Sequence, residues 1–271
     1  MGGLCVIIYF VKISFMTDLL EKIRKYWTRR AESYSDLTRS ELSGDAHTRW
    51  NAVLTENIRK NESLSGRKYT EALDVGTGPG FFAILLAKQG LNVTGLDYTE
   101  EMLVKAGLNS KNAGVSVNLQ RGNACSMDFP DESFDLLVTR NLTWDLESPE
   151  DAYKEWYRVL KKGGVLLNFD AAWYKYLFDE DTEHTYHRAH DDARDQHLPD
   201  LNVYDESPVM EEISKNLPLS SNERPEIDLE LMKKAGFKAE VDREIWKAVW
   251  DEAEQVNFAY APMFMLTGRK E

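Results

Sequence analysis

The sequence predicts an α/β fold. It reads as a doubly wound, seven-stranded, mostly parallel sheet, with N-terminal helices before it and an insertion after strand five. Three observations predict it. From Tyr69 to Asp170, short apolar runs alternate with helix-patterned segments, as parallel strands covered on both faces do. The first run, EALDV, feeds straight into Gly76-Thr77-Gly78-Pro79-Gly80, and the next run ends on Asp97. The chain has 271 residues, 42% of them apolar, enough for one large domain or two small ones.

The opening stretch, Gly2 to Val11, is too short to span a bilayer, which takes about 20 apolar residues. A secretory signal would want a positive charge before the apolar run, whereas Lys12 follows it. Val6 stands where a myristoylation motif has Ser or Thr. Residues 1–16 therefore read as a leader, either an extra strand or a loose segment, with Met16 as a second candidate start. Residues 17–68 read as a helical cap. Asp18 to Tyr34 spaces Leu20, Ile23 and Trp27 three and four apart, and Asp45 to Lys60 puts Trp50, Leu54 and Ile58 on one side.

Residues 69–170 carry the core. After EALDV come a helix from Phe81 to Lys88, the strand LNVTGLD and a helix from Glu100 to Leu108. The strands VSVNLQR and FDLLVTR follow, then a helix from Pro149 to Leu160, a KKGG turn and the strand VLLNFD. Residues 171–225 run aromatic, then acidic and histidine-rich, and are too long for a plain loop. They are expected to form a partly helical insertion covering a pocket at the sheet's C-terminal edge. Residues 226–271 supply a helix, Leu229 to Ala235, and an antiparallel pair, Phe237 to Trp246 and Met263 to Arg269, that completes the sheet.

The charge balance, 33 basic against 46 acidic residues, gives a net charge of -13. Binding to nucleic acid or to an anionic membrane wants concentrated Lys and Arg, so neither partner is expected. Two cysteines argue against a disulfide framework and for a reducing compartment, the cytoplasm.

The glycine-rich loop is the strongest local signal. Glycines let the backbone turn sharply and approach a ligand, and the helix that follows offers free N–H groups and its positive end. A tight structural turn is the plain alternative. Asp97, about 20 residues on, fits a carboxylate that binds a ribose diol; it could instead cap the helix from Glu100. A dinucleotide fingerprint needs a third glycine where Phe81 stands, and Asp74 brings negative charge that suits an ammonium better than a phosphate.

With these motifs in order, the chain resembles the class I methyltransferases that use S-adenosylmethionine, over about Tyr26 to Asp170 and more loosely over the last two strands. The resemblance implies that Asp74 and the turn Gly76, Thr77, Gly78 and Gly80 surround the methionine moiety. It implies Asp97 on the ribose hydroxyls and Tyr98 on the adenine. Gly122-Asn123-Ala124 is similar to the family's Gly-Asp-Ala, whose acid meets the adenine amine; here Asn123 must accept through its amide oxygen. PDESFD and YRVLKKGG resemble the segments that lead into strands four and five. The early YWTRRAESY resembles the cofactor-covering helix, which makes Tyr26, Arg30 and Tyr34 candidate contacts.

Ligands of such sheets lie beyond the strands' C-terminal ends. That position belongs to Asn141 and Trp144 after strand four, and to Trp173 and Tyr174 after strand five. Asn141 is expected to orient the acceptor or the cofactor's amino-acid end, or to cap a helix. Trp144, Trp173 and Tyr174 are expected to wall an acceptor pocket, or to serve as packing and anchors. The insertion holds His184, His187, His190 and His197. His187 is the candidate general base, with a solvated acidic face as the plain alternative and no metal expected. The expected function is methyl transfer from S-adenosylmethionine to a small molecule, with a cationic acceptor favoured by the acidic insertion. The alternative is a non-catalytic S-adenosylmethionine-binding regulator. The oligomeric state is left open.

Overall fold

The computed structural model describes residues 2–201 and 206–271, with side chains described from residue 18 onward. Two helices open the chain, α1 (Gly2–Ser43) and α2 (Ala46–Ser65). The expected leader falls at the start of α1, and its side chains lie outside the described residues. The helix expected to end at Tyr34 continues to Ser43, because Ser35 and Thr38 are buried against the core and extend the inward stripe.

The core then alternates as predicted: β1 (Glu71–Val75), α3 (Phe81–Lys88), β2 (Asn92–Asp97), α4 (Glu100–Asn112), β3 (Asn118–Arg121), β4 (Phe134–Arg140), α5 (Pro149–Val159) and β5 (Leu160–Asp170). The insertion forms α6 (Glu180–Asp195) and α7 (Ser207–Ser214). The chain closes with α8 (Glu226–Ala235), β6 (Lys238–Asp242), α9 (Trp246–Val249), α10 (Glu252–Asn257) and β7 (Phe264–Arg269).

The sheet runs β3-β2-β1-β4-β5-β7-β6. The first five strands are parallel, and β7 inserts antiparallel between β5 and β6. Strand periodicity splits the side chains between two cores. Leu136 and Val138 join Trp50, Phe82 and Phe169 on one face. Leu137 joins Leu73, Val75 and Trp156 on the other. A third cluster packs Met210, Ile213 and Leu217, from α7 and the residues after it, against Leu19, Ile23 and Tyr26 of α1 and against Trp144.

Two local expectations change. KKGG is not a separate turn: β5 runs through it from Leu160, with a register shift opposite Phe134 and Leu136. Gly164 permits this, since a Cβ there would meet the Asp135 carbonyl oxygen at 2.9 Å. The strand expected from Phe237 to Trp246 stops at Asp242, and two short helices follow. Asp251 and Glu254 close a reciprocal capping box at the start of α10, the readable signal for that helix.

Candidate functional site

Two adjoining cavities open at the C-terminal ends of β1 to β5. Trp27, Tyr34, Arg140 and Asn141 line both.

The first cavity follows the sheet order. Asn123 and Ala124 come from the turn after β3, and Asp97 and Tyr98 from the end of β2. Gly76 and Gly78 come from the loop after β1, and Asn141, Asp145 and Glu147 from the segment after β4. Leu20, Ile23, Arg24 and Trp27 of α1 cover it. Gly76 adopts φ 67°, and a Cβ there would strike Leu142 at 2.8 Å, so the loop needs glycine for both reasons.

Asp97 faces this cavity. Its carboxylate accepts the Gly78 N–H at 2.9 Å and the Thr99 N–H at 2.8 Å. These bonds lock its orientation and leave further lone pairs free to accept. Burial pushes its pKa up to about 6 against the pull of those N–H groups. The carboxylate is thus a cavity wall; it does not cap α4, whose N-cap residue is Thr99 and whose first turn has no side-chain cap.

Asp74 is placed differently from its expected role. Period-two alternation turns it away from Leu73 and Val75, toward α3. There it accepts from Thr77 Oγ1 at 2.7 Å and from the Ala83 N–H at 2.9 Å, fully beneath the loop. Burial pushes its pKa up to about 7. Asp74 and Thr77 hold the loop's shape and do not line the cavity. Gly80 is also a packing position: at φ 93° a Cβ would press on Ala106 at 3.3 Å. Tyr26 and Arg30 line the second cavity, not the first, because α1 turns them toward α7 and the insertion.

Three carboxyl or amide oxygens in the first cavity are buried without a hydrogen-bond partner among the described residues: Asn141 Oδ1, Asp145 Oδ1 and Glu147 Oε2. Asn141 Oδ1 is an acceptor, and the two carboxyl oxygens are acceptors in their ionised form. Asp145 accepts the Trp27 indole N–H on its other oxygen, and burial pushes its pKa up to about 8. Burial also raises Glu147. Buried acceptors without donors are costly, so the cavity is complementary to a donor-rich, cationic ligand. S-adenosylmethionine offers an ammonium, a sulfonium, two ribose hydroxyls and an adenine amine, and it fits this donor demand.

Asn141 carries φ 56°, a left-handed conformation for a non-glycine residue, held by its N–H to the Phe169 carbonyl at 2.8 Å. That geometry aims the side chain at the junction of the cavities, where its amide reaches the Tyr34 hydroxyl. Arg140 closes the same junction. It makes a two-pronged bond to Glu41 at 2.7 and 3.0 Å and stacks on Phe81 at 4.5 Å.

The second cavity is about 660 Å³. Trp144, Trp173, Tyr174, Tyr186, Trp250 and Phe258 are among its walls. Its charged groups are largely matched: Glu41 with Arg140, and Glu254 and Asp251 with Arg49 at 3.6 and 3.7 Å. Burial raises Glu254 within this set.

A buried ionic cluster supports the rim. Arg224 lies 2.7 Å from Asp228 and 3.3 Å from Asp170, and it donates to Thr143 Oγ1 at 2.7 Å. Asp170 in turn accepts the Trp144 N–H at 3.1 Å. This cluster, Glu41 and Glu254 escaped the sequence reading, because their partners lie far away in the chain.

His187 is a correction. Its side chain is 66% exposed, its nearest acid is Glu183 at 3.9 Å, and it lines neither cavity. It points to solvent from α6 and is not placed to act as a base. His190 is turned onto Tyr186 and Asp200. Among the described residues no three His, Cys, Asp or Glu side chains gather in a way that could hold a metal.

The sheet order and the cavity over the ends of β2 and β1 define a doubly wound α/β protein with a cleft at its C-terminal strand ends. Residues 73–168 match the family described as a methyltransferase domain. Over those residues the chain is similar to methyltransferases. It is 32% identical over 156 residues to a demethylmenaquinone methyltransferase of Listeria welshimeri, covering 56% of this chain and 63% of that one. It is 32% identical over 135 residues to a sterol 24-C-methyltransferase of Pneumocystis carinii, covering 49% of this chain and 34% of that one. The chain thus spans 63% of the length of the first of these relatives. In fold it is similar to an S-adenosylmethionine-dependent methyltransferase of Thermotoga maritima, with TM-score 0.52 and 20% identity over 92% of this chain and 100% of that one. No helix among the described residues is long and apolar enough to cross a membrane.

Proposed function

We propose that this protein transfers a methyl group from S-adenosylmethionine to a small-molecule acceptor held in the aromatic cavity. The observation that carries this reading is the shared wall: Trp27, Tyr34, Arg140 and Asn141 line both cavities, so a ligand in each would meet there. A regulator that only bound the nucleoside would have no use for a second cavity joined to the first.

Bound in the first cavity, S-adenosylmethionine supplies an electrophilic methyl group on a sulfonium sulfur. The chain's own residues then place and shield. Asp97 accepts from the ribose hydroxyls, Asp145 and Asn141 face the ammonium end, and Tyr98 packs beside the base. Tyr34 and Asn141 orient the acceptor at the junction. The Arg140–Glu41 pair, packed on Phe81, keeps water out of it. Displacement at carbon is governed by such placement. Where the acceptor enters protonated, Glu254, a carboxylate in the wall of the second cavity, is the group we assign to take the proton.

The aromatic walls support an acceptor with a flat ring or a cationic amine, recognised by ring faces rather than by a fixed counter-charge. The segment 171–225 supplies Trp173, Tyr174, Tyr176 and Tyr186 to these walls, which supports its role as a cover over the acceptor. Two cysteines in the whole chain favour the cytoplasm. The test is calorimetry with S-adenosylhomocysteine followed by turnover assays over ring-bearing and amine acceptors. Binding without turnover on any of them would favour the regulator; no binding would sink both readings.

A further inference from the structure

We infer that Glu147, not the turn after β3, recognises the amino group of the adenine ring. The inference rests on the cofactor reading above. The sheet itself sets the ligand's direction. The acceptor cavity adjoins the first cavity at Tyr34, Arg140 and Asn141, beside β4. The methyl-bearing end must therefore lie over β1 and β4. With the ribose at Asp97 on β2, the base falls toward β3.

At that end the chain offers Leu96, Met102, Ala124 and Leu146 for the ring faces. Among its polar side chains are Asn123 and Glu147. Asn123 is largely committed: its Oδ1 accepts the Cys125 N–H at 2.8 Å, and its Nδ2 donates to Glu147 Oε1 at 3.4 Å. Asn123 thereby steadies one oxygen of Glu147. The other, Oε2, is buried in the cavity wall with no partner among the described residues. An adenine attached through its ring nitrogen has one N–H donor group, the exocyclic amine. That amine is the donor Oε2 lacks. The carboxylate comes from the segment after β4 and is carried by Asn123, so an asparagine in the turn becomes a support for the recognising acid.

The experiment compares S-adenosylhomocysteine with its analogue lacking the 6-amino group, by calorimetry on the whole chain. Wild-type protein should prefer the amino form by about 10–100-fold, the range of a hydrogen bond to a charged group. Glu147→Leu should bring the preference near unity by weakening only the amino form. Glu147→Gln, which keeps a neutral acceptor, should retain part of it. Equal affinities in the wild type, or an undiminished preference in either variant, overturn the inference. Failure of both ligands to bind wild-type protein would instead remove the cofactor reading, and this inference with it. The wild-type comparison and the near-isosteric Gln variant decide the matter even if the Leu variant does not fold.

Discussion

The two cavities share four residues and solve opposite problems. The first is incomplete in its polar groups: Asn141, Asp145 and Glu147 each present a buried oxygen without a hydrogen-bond partner among the described residues. The second is aromatic and internally balanced, with Glu41, Glu254 and Asp251 matched to arginines. An unsatisfied wall demands one particular pattern of donors, so it fixes its ligand strictly. A satisfied aromatic wall asks only for shape and a compatible face. The nucleoside side of the protein is therefore expected to be exacting, and the acceptor side permissive.

The most severe way to break both sides at once is at the support beneath them. Arg224→Met would leave Asp170 and Asp228 buried without their cation, and is expected to cost about 3–5 kcal/mol in urea unfolding. A loss under 1 kcal/mol would mean the cluster is not what holds the rim. Next, Asp97→Ala should weaken S-adenosylhomocysteine by roughly tenfold or more, read by calorimetry, with the acceptor's half-saturation unaffected. Equal loss on both sides would erase the contrast.

Trp173→Ala tests the other cavity. Its ring packs on Phe258 at 5.3 Å, and its removal should raise the acceptor's KM several-fold, at about 0.5–1.5 kcal/mol, leaving nucleoside affinity intact.

The acids of the first cavity also predict a pH signature. Burial holds Asp145 at a pKa of about 8, well above its unfolded value. Its folded form therefore binds the extra proton, and its contribution to stability, full at acid pH, is lost as pH rises toward 8. A ligand that brings an ammonium beside the carboxyl, as S-adenosylhomocysteine does, favours the ionised form. The rise in Tm given by S-adenosylhomocysteine should therefore grow between pH 6 and pH 8. A flat or falling profile would show that Asp145 does not face the ammonium. The smallest effect belongs to His187→Ala, which should leave turnover and stability within about 0.5 kcal/mol of wild type. A slowed reaction would return the histidine to the site.

Local signals were legible and distant partnerships were not. The glycine turn, Asp97 and the Gly-Asn-Ala segment each sit at a strand end, and strand ends can be found by pattern alone. Trp144, Trp173 and Tyr174 line the second cavity for the same reason. Asp74 stands in the same motif as Gly76, yet strand alternation decides which way it points, and it points beneath the loop. Arg140 and Glu41 are 99 residues apart, and Arg224 and Thr143 are 81 apart. No periodicity announces such pairs, because only the folded chain brings them out of water together. His187 misled for the converse reason: a reactive side chain on a helix says nothing of which way the helix turns it.

The packing of α7 on α1 ties the two chambers together. Leu19, Ile23 and Tyr26 meet Met210, Ile213 and Leu217 there, while the same stretch of α1 roofs the nucleoside cleft. Parting these two helices would bare apolar surface over both chambers together. The covering of the first cavity and the wall of the second are thus held by one and the same helix pair.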